Sequence, residues 1–381
     1  MGRVHRVLPP AIAVAACVLA ACSGDAGGAG AVQAGRARCG DGWPPARAGT
    51  RTLLVHNGDS APVDVTVVDP TSGAVFAELE GVGPGVTRPL RVGLGAGTYA
   101  IGCRPADGAA VTGPRVRVTG PGGGARGVRP LTRNDLDPAV RAYRAGVIAG
   151  LGALARRTDA LRDAVRSGDL DAARAAWLPA HLAYARLGAA YGAFGDRADA
   201  IDGRPAGLPE GVRDPGFRGF HRVERGLWHG ASAASLRGPA DRLAADVRAL
   251  RDGFPRAEID PGDLGLRAHE ILEDTLRFEL TGATDQGSGT TLATVAANLD
   301  GTRTVLAALR PLLADRLPEL PEVDAWLDRA SRLVRAQHRH GRWTPLDRLG
   351  TVERERLNGA IGELAERLAS VATVAAVRRT P

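Results

Sequence analysis

The stretch GPGGGARG, residues 120–127, divides this chain into two regions of unlike composition. A run this rich in glycine reads as a flexible linker, and we place the linker at 120–134. Before it come TRTLLVHN, PVDVTVVDP, AVFAELEG, TRPLRVGL, GTYAIGC and RVRVTG. These runs are short, β-branched and partly alternating, and Gly, Pro, Asn and Asp separate them. That pattern predicts a small all-β sandwich over 38–119. From Asp135 onward, long Ala/Leu/Arg/Glu segments carry helical periodicity instead. Helices are expected near 137–166, 169–194, 215–228, 234–252, 262–280, 290–314, 321–339 and 351–376. The breaks between them hold Gly or Pro, as in GRPAGLPEGVRDPG and GFPRAEIDPGD. Eight helices suffice for two antiparallel bundles, and about 245 residues can bury a substantial core. The expected fold is multidomain: an N-terminal all-β sandwich, then an all-α double helical bundle over 135–378.

The front of the chain bears on location. MGRVHRVLPPAIAVAACVLAACSGD has two arginines, an apolar run from Val7 to Ala21, and then Cys22. The run is shorter than the ~20 residues a spanning helix needs. Basic, then apolar, then small residues is the order of a secretory signal, placed at 1–21. Leu19–Cys22 also resembles a bacterial lipobox, in which Cys22 would be lipidated and residues 22–37 would form a tether. The alternative is a plain signal with an incidental cysteine. Either way the mature chain is expected outside the cytoplasm, and with the lipid it would sit on the outer face of the cell membrane, in the periplasm or at the cell surface. No other segment is long and apolar enough to span a bilayer.

The formal charge is +7, and every fixed side-chain cation is arginine. Basic residues are dispersed among acids with few aromatics, so the footprint of nucleic-acid binding is missing. Within the folded part only Cys39 and Cys103 remain. In an oxidising compartment two such cysteines most simply form a disulfide. A thiolate metal site is the alternative.

GFHRVERGLWHG (219–230) carries the chemistry. Residues three and four apart share a helix face, so His221 and Glu224 point the same way and can reach one ion. Imidazole with carboxylate suits iron, zinc or copper better than calcium. Two ligands are too few. The carboxylates of FGDRADAID (Asp196, Asp199, Asp202) end the preceding helix and would lie close by if the two helices pack together. RAHEILEDTLRFE offers a second candidate, His269 with Glu273, and Glu270 and Asp274 beside it. It is not H-E-x-x-H, because Glu273 stands where that pattern needs histidine. Nor is it a ferritin-type di-iron set. By spacing alone, both pairs read as ordinary polar contacts of a helix bundle. His229, His338 and His340 have no evident partners, and the tight group of two histidines and a cysteine that a type-1 copper site needs is absent from the β-region.

LGAAYGAFGD, IDGRPAGLP, GFHRVERGLWHG, DLGLRAHEILEDTLRFELTG, GSGTTLATVAANLDGTR and LNGAIGELAERL together resemble the imelysin-like domain of EfeO-type iron-uptake proteins. Cys39, AELEGVGPG and GTYAIGC resemble the cupredoxin-like N-terminal domain of the same proteins. The resemblance runs in order over nearly all of the mature chain. It implies an extracytoplasmic iron-binding component working with an iron permease and a haem-dependent peroxidase. The Gly-x-His-x-x-Glu motif falls on Gly219, His221 and Glu224, and its acidic partner on Asp196. These are the ligands the resemblance implies. The chain departs from the pattern at Ala185, in AHLAYARLGAAY, where a glutamate is expected; Glu273 could stand in for it. Other readings are a metallopeptidase-like hydrolase, in which an open metal activates water, and a binder of an acidic polymer such as alginate.

Overall fold

The computed structural model describes residues 30–377. The expected signal, Cys22 and the first residues of the expected tether lie outside the described residues. Two compact units are present: one holds 30–67 and 77–125, the other 68–76 and 126–377.

The first unit contains β1 (Val32–Ala34), β2 (Ala46–Arg47), β3 (Gly49–Asn57), β4 (Val63–Val68), β5 (Val75–Val82), β6 (Thr87–Leu94), β7 (Gly97–Pro105), β8 (Val111–Thr112) and β9 (Val116–Thr119), apart from the β4–β5 turn, which groups with the second unit. One sheet has the order β1-β3-β6; the other has the order β2-β9-β7-β4-β5, with β8 on β7. Here the structure corrects the expected cupredoxin-like sandwich. The sheets mix antiparallel pairs with two parallel ones, β1 on β3 and β2 on β9. The physical reason lies in strand length. β1 and β2 are three and two residues long, too short to show a period of two, and parallel edge pairing has no turn signal in sequence. β5 does not alternate either: seven of its eight residues are partly or fully exposed in one continuous run. Cys39 and Cys103 are joined by a disulfide, with Cα atoms 5.8 Å apart.

The second unit is helical: α1 (Arg133–Ser167), α2 (Leu170–Ala185), α3 (Arg197–Asp202), α4 (Phe220–Trp228), α5 (Ala233–Gly253), α6 (Asp263–Asp274), α7 (Thr291–Leu313), α8 (Leu320–Arg335) and α9 (Thr351–Ala375). α1 shows why these segments are helices. Thr132 and Asp135 form a reciprocal capping box, satisfying two of the first free amides, and Gly168 ends the helix in the left-handed conformation. Between the caps Leu136, Ala139, Tyr143, Val147, Leu151 and Leu154 recur every three or four residues and are buried. α1 packs against α2 and α5, and α6 against α9, while α7 touches α1, α2, α6, α8 and α9. With α7 in the middle, one continuous apolar core runs from Leu131 to Val371. The expected all-α domain is present, and this core is shared among its helices. Over Thr291–Thr302 α7 is buried nearly all round, as a helix at the centre of a core is.

Two local departures from the expected helices shape the site. The segment expected at 169–194 stops at Ala185 and continues as a 3₁₀ turn over Gly188–Phe194. Gly188 lies against Ile271, and a Cβ there would meet Ile271 Cγ1 at 3.0 Å. The helix expected at 262–280 leaves α geometry at Thr275 and runs as a π turn to Glu279. Leu280 N–H donates to Thr275 C=O, five residues back. Asn298 of α7 donates to Thr275 Oγ1, which itself donates to the Ile271 carbonyl. Among the described residues no helix is long and apolar enough to cross a membrane.

Candidate metal centre

Gly219 begins the site. Its φ is +83°, and a Cβ there would meet Ile201 C=O at 2.3 Å. Glycine alone tolerates both the left-handed conformation and the close approach. The start of α4 is thereby laid against the end of α3, which brings Asp202 to His221. His221 Nε2 is 3.6 Å from Asp202 Oδ1, and His181 Nε2 of α2 is 3.3 Å from the same oxygen. His181, Asp202 and His221 offer ligand atoms that all lie within 4.8 Å of one another. Tetrahedral ligands at ~2.1 Å from an ion are roughly 3.4 Å apart, so this spacing fits a first-row metal. Two nitrogens and one carboxylate oxygen suit iron as well as zinc or copper.

The cluster is buried and incompletely satisfied. Both imidazoles are at most 4% exposed. His181 Nδ1 and Asp202 Oδ1 have no hydrogen-bond partner among the described residues. Unpaired buried polar atoms are costly, so a group of them around one point calls for an ion or a water. Trp177 fixes His181 by stacking at 4.8 Å between ring centroids, and Trp177 Nε1–H donates to the Phe220 carbonyl at 3.0 Å.

Glu224 is placed differently from the expectation that it ligates beside His221. Its Oε2 is 3.1 Å from His221 Nδ1, and its Oε1 accepts from the Gln286 and Ser288 amides at 3.0 and 3.2 Å. A carboxylate only accepts, so Nδ1 is the donor and Nε2 faces Asp202. Glu224 thus ties α4 to the 286–288 loop and orients the imidazole from behind, as carboxylates do for metal-ligating histidines.

The charges are coupled. Burial pulls the His221 pKa down, but Asp202 and Glu224 outweigh it, leaving it raised to about 9. Burial opposes the ionised Asp202 and Glu224, yet the facing imidazoles hold both carboxyls below their ordinary value. In the ion-free protein the cluster is therefore a cation held between carboxylates.

The cluster opens on a cavity of about 310 Å³, also lined by Tyr184, Ala185, Asp199, Asp274 and Glu279. The π turn aims Phe278 and Glu279 into it, and burial pushes the Glu279 carboxyl up. Arg204 lies over the Phe278 ring, 3.7 Å from its centroid. A concave wall of carboxylates concentrates cations. Ala185, where the family resemblance implies glutamate, lines this cavity and is 3% exposed.

The other expected residues lie elsewhere. Asp196 is the exposed residue preceding α3 and caps nothing with its side chain; the carboxylate that meets His221 is Asp202, six residues on. His269 and Glu273 pair with each other at 3.2 Å, and His269 Nδ1 is 2.8 Å from the Ala365 carbonyl. Neither belongs to the cluster. His181 was missed as a candidate ligand. The available signal was its position four residues before Ala185, on the helix thought to line the site.

A profile of the imelysin family, Peptidase_M75, matches residues 139–371. The iron uptake system component EfeO of Escherichia coli strain K12 is 28% identical over 302 residues, covering 78% of each chain, and that of Shigella flexneri is equally similar. The crystal structure of a putative iron-regulated protein A precursor from Parabacteroides distasonis aligns with a TM-score of 0.53 at 12% identity, over 64% of this chain and 96% of that one. That likeness concerns the fold alone. With the profile covering more than half of its length, this chain belongs to the imelysin family.

Proposed function

We propose that the protein is an iron-binding component of an extracytoplasmic iron-uptake system, held at the membrane through a lipid on Cys22. Iron is its cargo, bound by His181, Asp202 and His221, with Glu224 orienting His221. The observation that carries the reading is the buried His-Asp-His cluster at an acidic cavity. The similarity to EfeO supports iron over other first-row metals. Asp199, Asp274 and Glu279 draw the cation inward. Captured iron then passes to a permease partner, with a haem-dependent peroxidase as a further component of the system. The glycine-rich segment 120–134 acts as the linker between a β-rich docking module and the metal-binding unit.

The test is a titration of the full chain with ferrous, ferric, zinc and copper ions, followed by calorimetry and metal analysis. One iron per chain is expected, with binding lost together in His181→Ala, Asp202→Ala and His221→Ala. Wild-type affinity in all three variants would place the iron elsewhere and end the reading.

A further inference from the structure

Tyr184 lies three residues after His181 on α2 and lines the same cavity as His181, Asp202 and His221. Its side chain is 1% exposed, yet its hydroxyl makes no hydrogen bond among the described residues. A tyrosine hydroxyl ordinarily finds a partner, and this one borders the cavity rather than being sealed in the core. The ring cannot easily turn away to seek one. It stacks on Tyr191 at 4.7 Å, with Phe194 and Phe220 each 6.1 Å away. Tyr191 offers a contrast on the same wall: its hydroxyl is committed, donating to the Tyr184 carbonyl at 3.2 Å. The two stacked phenols thus differ in one respect, and the free one is on the helix that supplies His181.

We infer that Tyr184 is a further ligand of the ion held by His181, Asp202 and His221, and that its phenolate oxygen makes the site select ferric iron. This rests on the metal-site reading given above. Two neutral imidazoles and one carboxylate offer a single negative charge. A phenolate adds a second, and it is a hard oxygen donor, which matches a trivalent ion better than ferrous iron, zinc or copper. On ligation an iron–oxygen bond forms and the O–H bond breaks. The proton leaves through the cavity to solvent, and the iron keeps its oxidation state. Without a cation the phenol stays protonated, because burial and then the Asp202 and Asp199 charges disfavour the phenolate. The same Asp202 that opposes the bare phenolate is the carboxylate shared by both imidazoles.

The experiment loads full-length protein with ferric nitrilotriacetate at neutral pH and removes free chelate by gel filtration. Retained iron and visible absorption are then measured. Wild type should hold one iron and show a phenolate-to-iron charge-transfer band, with phenolate ring modes in the resonance Raman spectrum. Tyr184→Phe should lose the band and hold ferric iron about tenfold more weakly. Tyr191→Phe should keep the band. Iron held by wild type without the band or the ring modes overturns the Tyr184 assignment and leaves the metal site standing. A band that persists in Tyr184→Phe overturns it as well. No iron retained by wild type overturns the metal-site reading and this inference with it. Should Tyr184→Phe fail to fold, the wild-type Raman spectrum alone decides.

Discussion

Two helices of this protein each carry a histidine and a glutamate on one face, and they have different fates. On α4, His221 and Glu224 are 3% and 1% exposed. On α6, the His269 and Glu273 side chains are 18% and 59% exposed and form a pair at 3.2 Å. Around His221 two further elements converge: α2 brings His181, and α3 brings Asp202. Around His269 the neighbouring α9 brings only the Ala365 carbonyl. The His221–Glu224 spacing supplies one imidazole and one carboxylate, so a metal centre here needs other elements to arrive with ligands of their own. The α6 pair is a partly exposed polar contact on one helix face. In the α4 pair Glu224 holds Nδ1 of His221 from behind, leaving Nε2 toward Asp202, the arrangement the proposed metal site needs.

The comparison breaks most sharply by deleting the two histidines. His221→Ala should weaken iron binding by about a hundredfold or more, ~3 kcal/mol, as read by calorimetry. His269→Ala should change it by less than about twofold. Equal losses in the two variants would erase the distinction drawn here.

A pH series comes next in size. The His221 pKa is raised to about 9, burial being outweighed by Asp202 and Glu224. A raised pKa means the folded state holds the proton more tightly than the unfolded chain. The resulting stability is whole below an unfolded pKa of about 6.5 and disappears as pH rises through about 9. Ion-free protein should lose on the order of 2–3 kcal/mol over that window. Iron must displace the same proton, so affinity should strengthen across it. Denaturant melts with chelator present check the first statement and titrations at three pH values the second. In His221→Ala both trends should flatten; in His269→Ala they should persist.

Glu224→Gln keeps the shape but weakens the hold on Nδ1. It should cost about tenfold in iron affinity, the size of effect expected when the carboxylate behind a metal-ligating histidine is changed. Glu273→Gln should cost nothing measurable. If both cost tenfold, Glu224 is not acting through His221.

The smallest effect expected is a gain. Ala185 lines the cavity one turn beyond His181, so Ala185→Glu should add a carboxylate there and tighten iron binding by about three- to fivefold, under 1 kcal/mol. Without iron the added charge faces Asp202 and Asp199 and should lower the melting temperature. An iron-induced stabilisation equal to that of wild type would show that position 185 does not reach the ion.

By itself the sequence determined the helical character of the C-terminal region, because capped 3.6-residue periodicity, as from Thr132 to Gly168, is a local property of the chain. It also placed His221 and Glu224 on one face, since that follows from their spacing. The β-region was legible as strands but not as sheets. Pairing is settled between segments distant in sequence, and β1 and β2 are too short to declare a period. Only the tertiary structure chose among the carboxylates Asp196, Asp199 and Asp202. That choice depends on how the Gly219 backbone crosses the end of α3, a contact made through Ile201 C=O. Only the tertiary structure brought in His181, which stands forty residues from His221. It also turned Glu224 toward His221 Nδ1 rather than toward Asp202, because the 286–288 loop amides claim its other oxygen. A metal centre is a meeting of side chains from separate elements. Periodicity fixes which face each residue occupies, and packing alone fixes which faces meet.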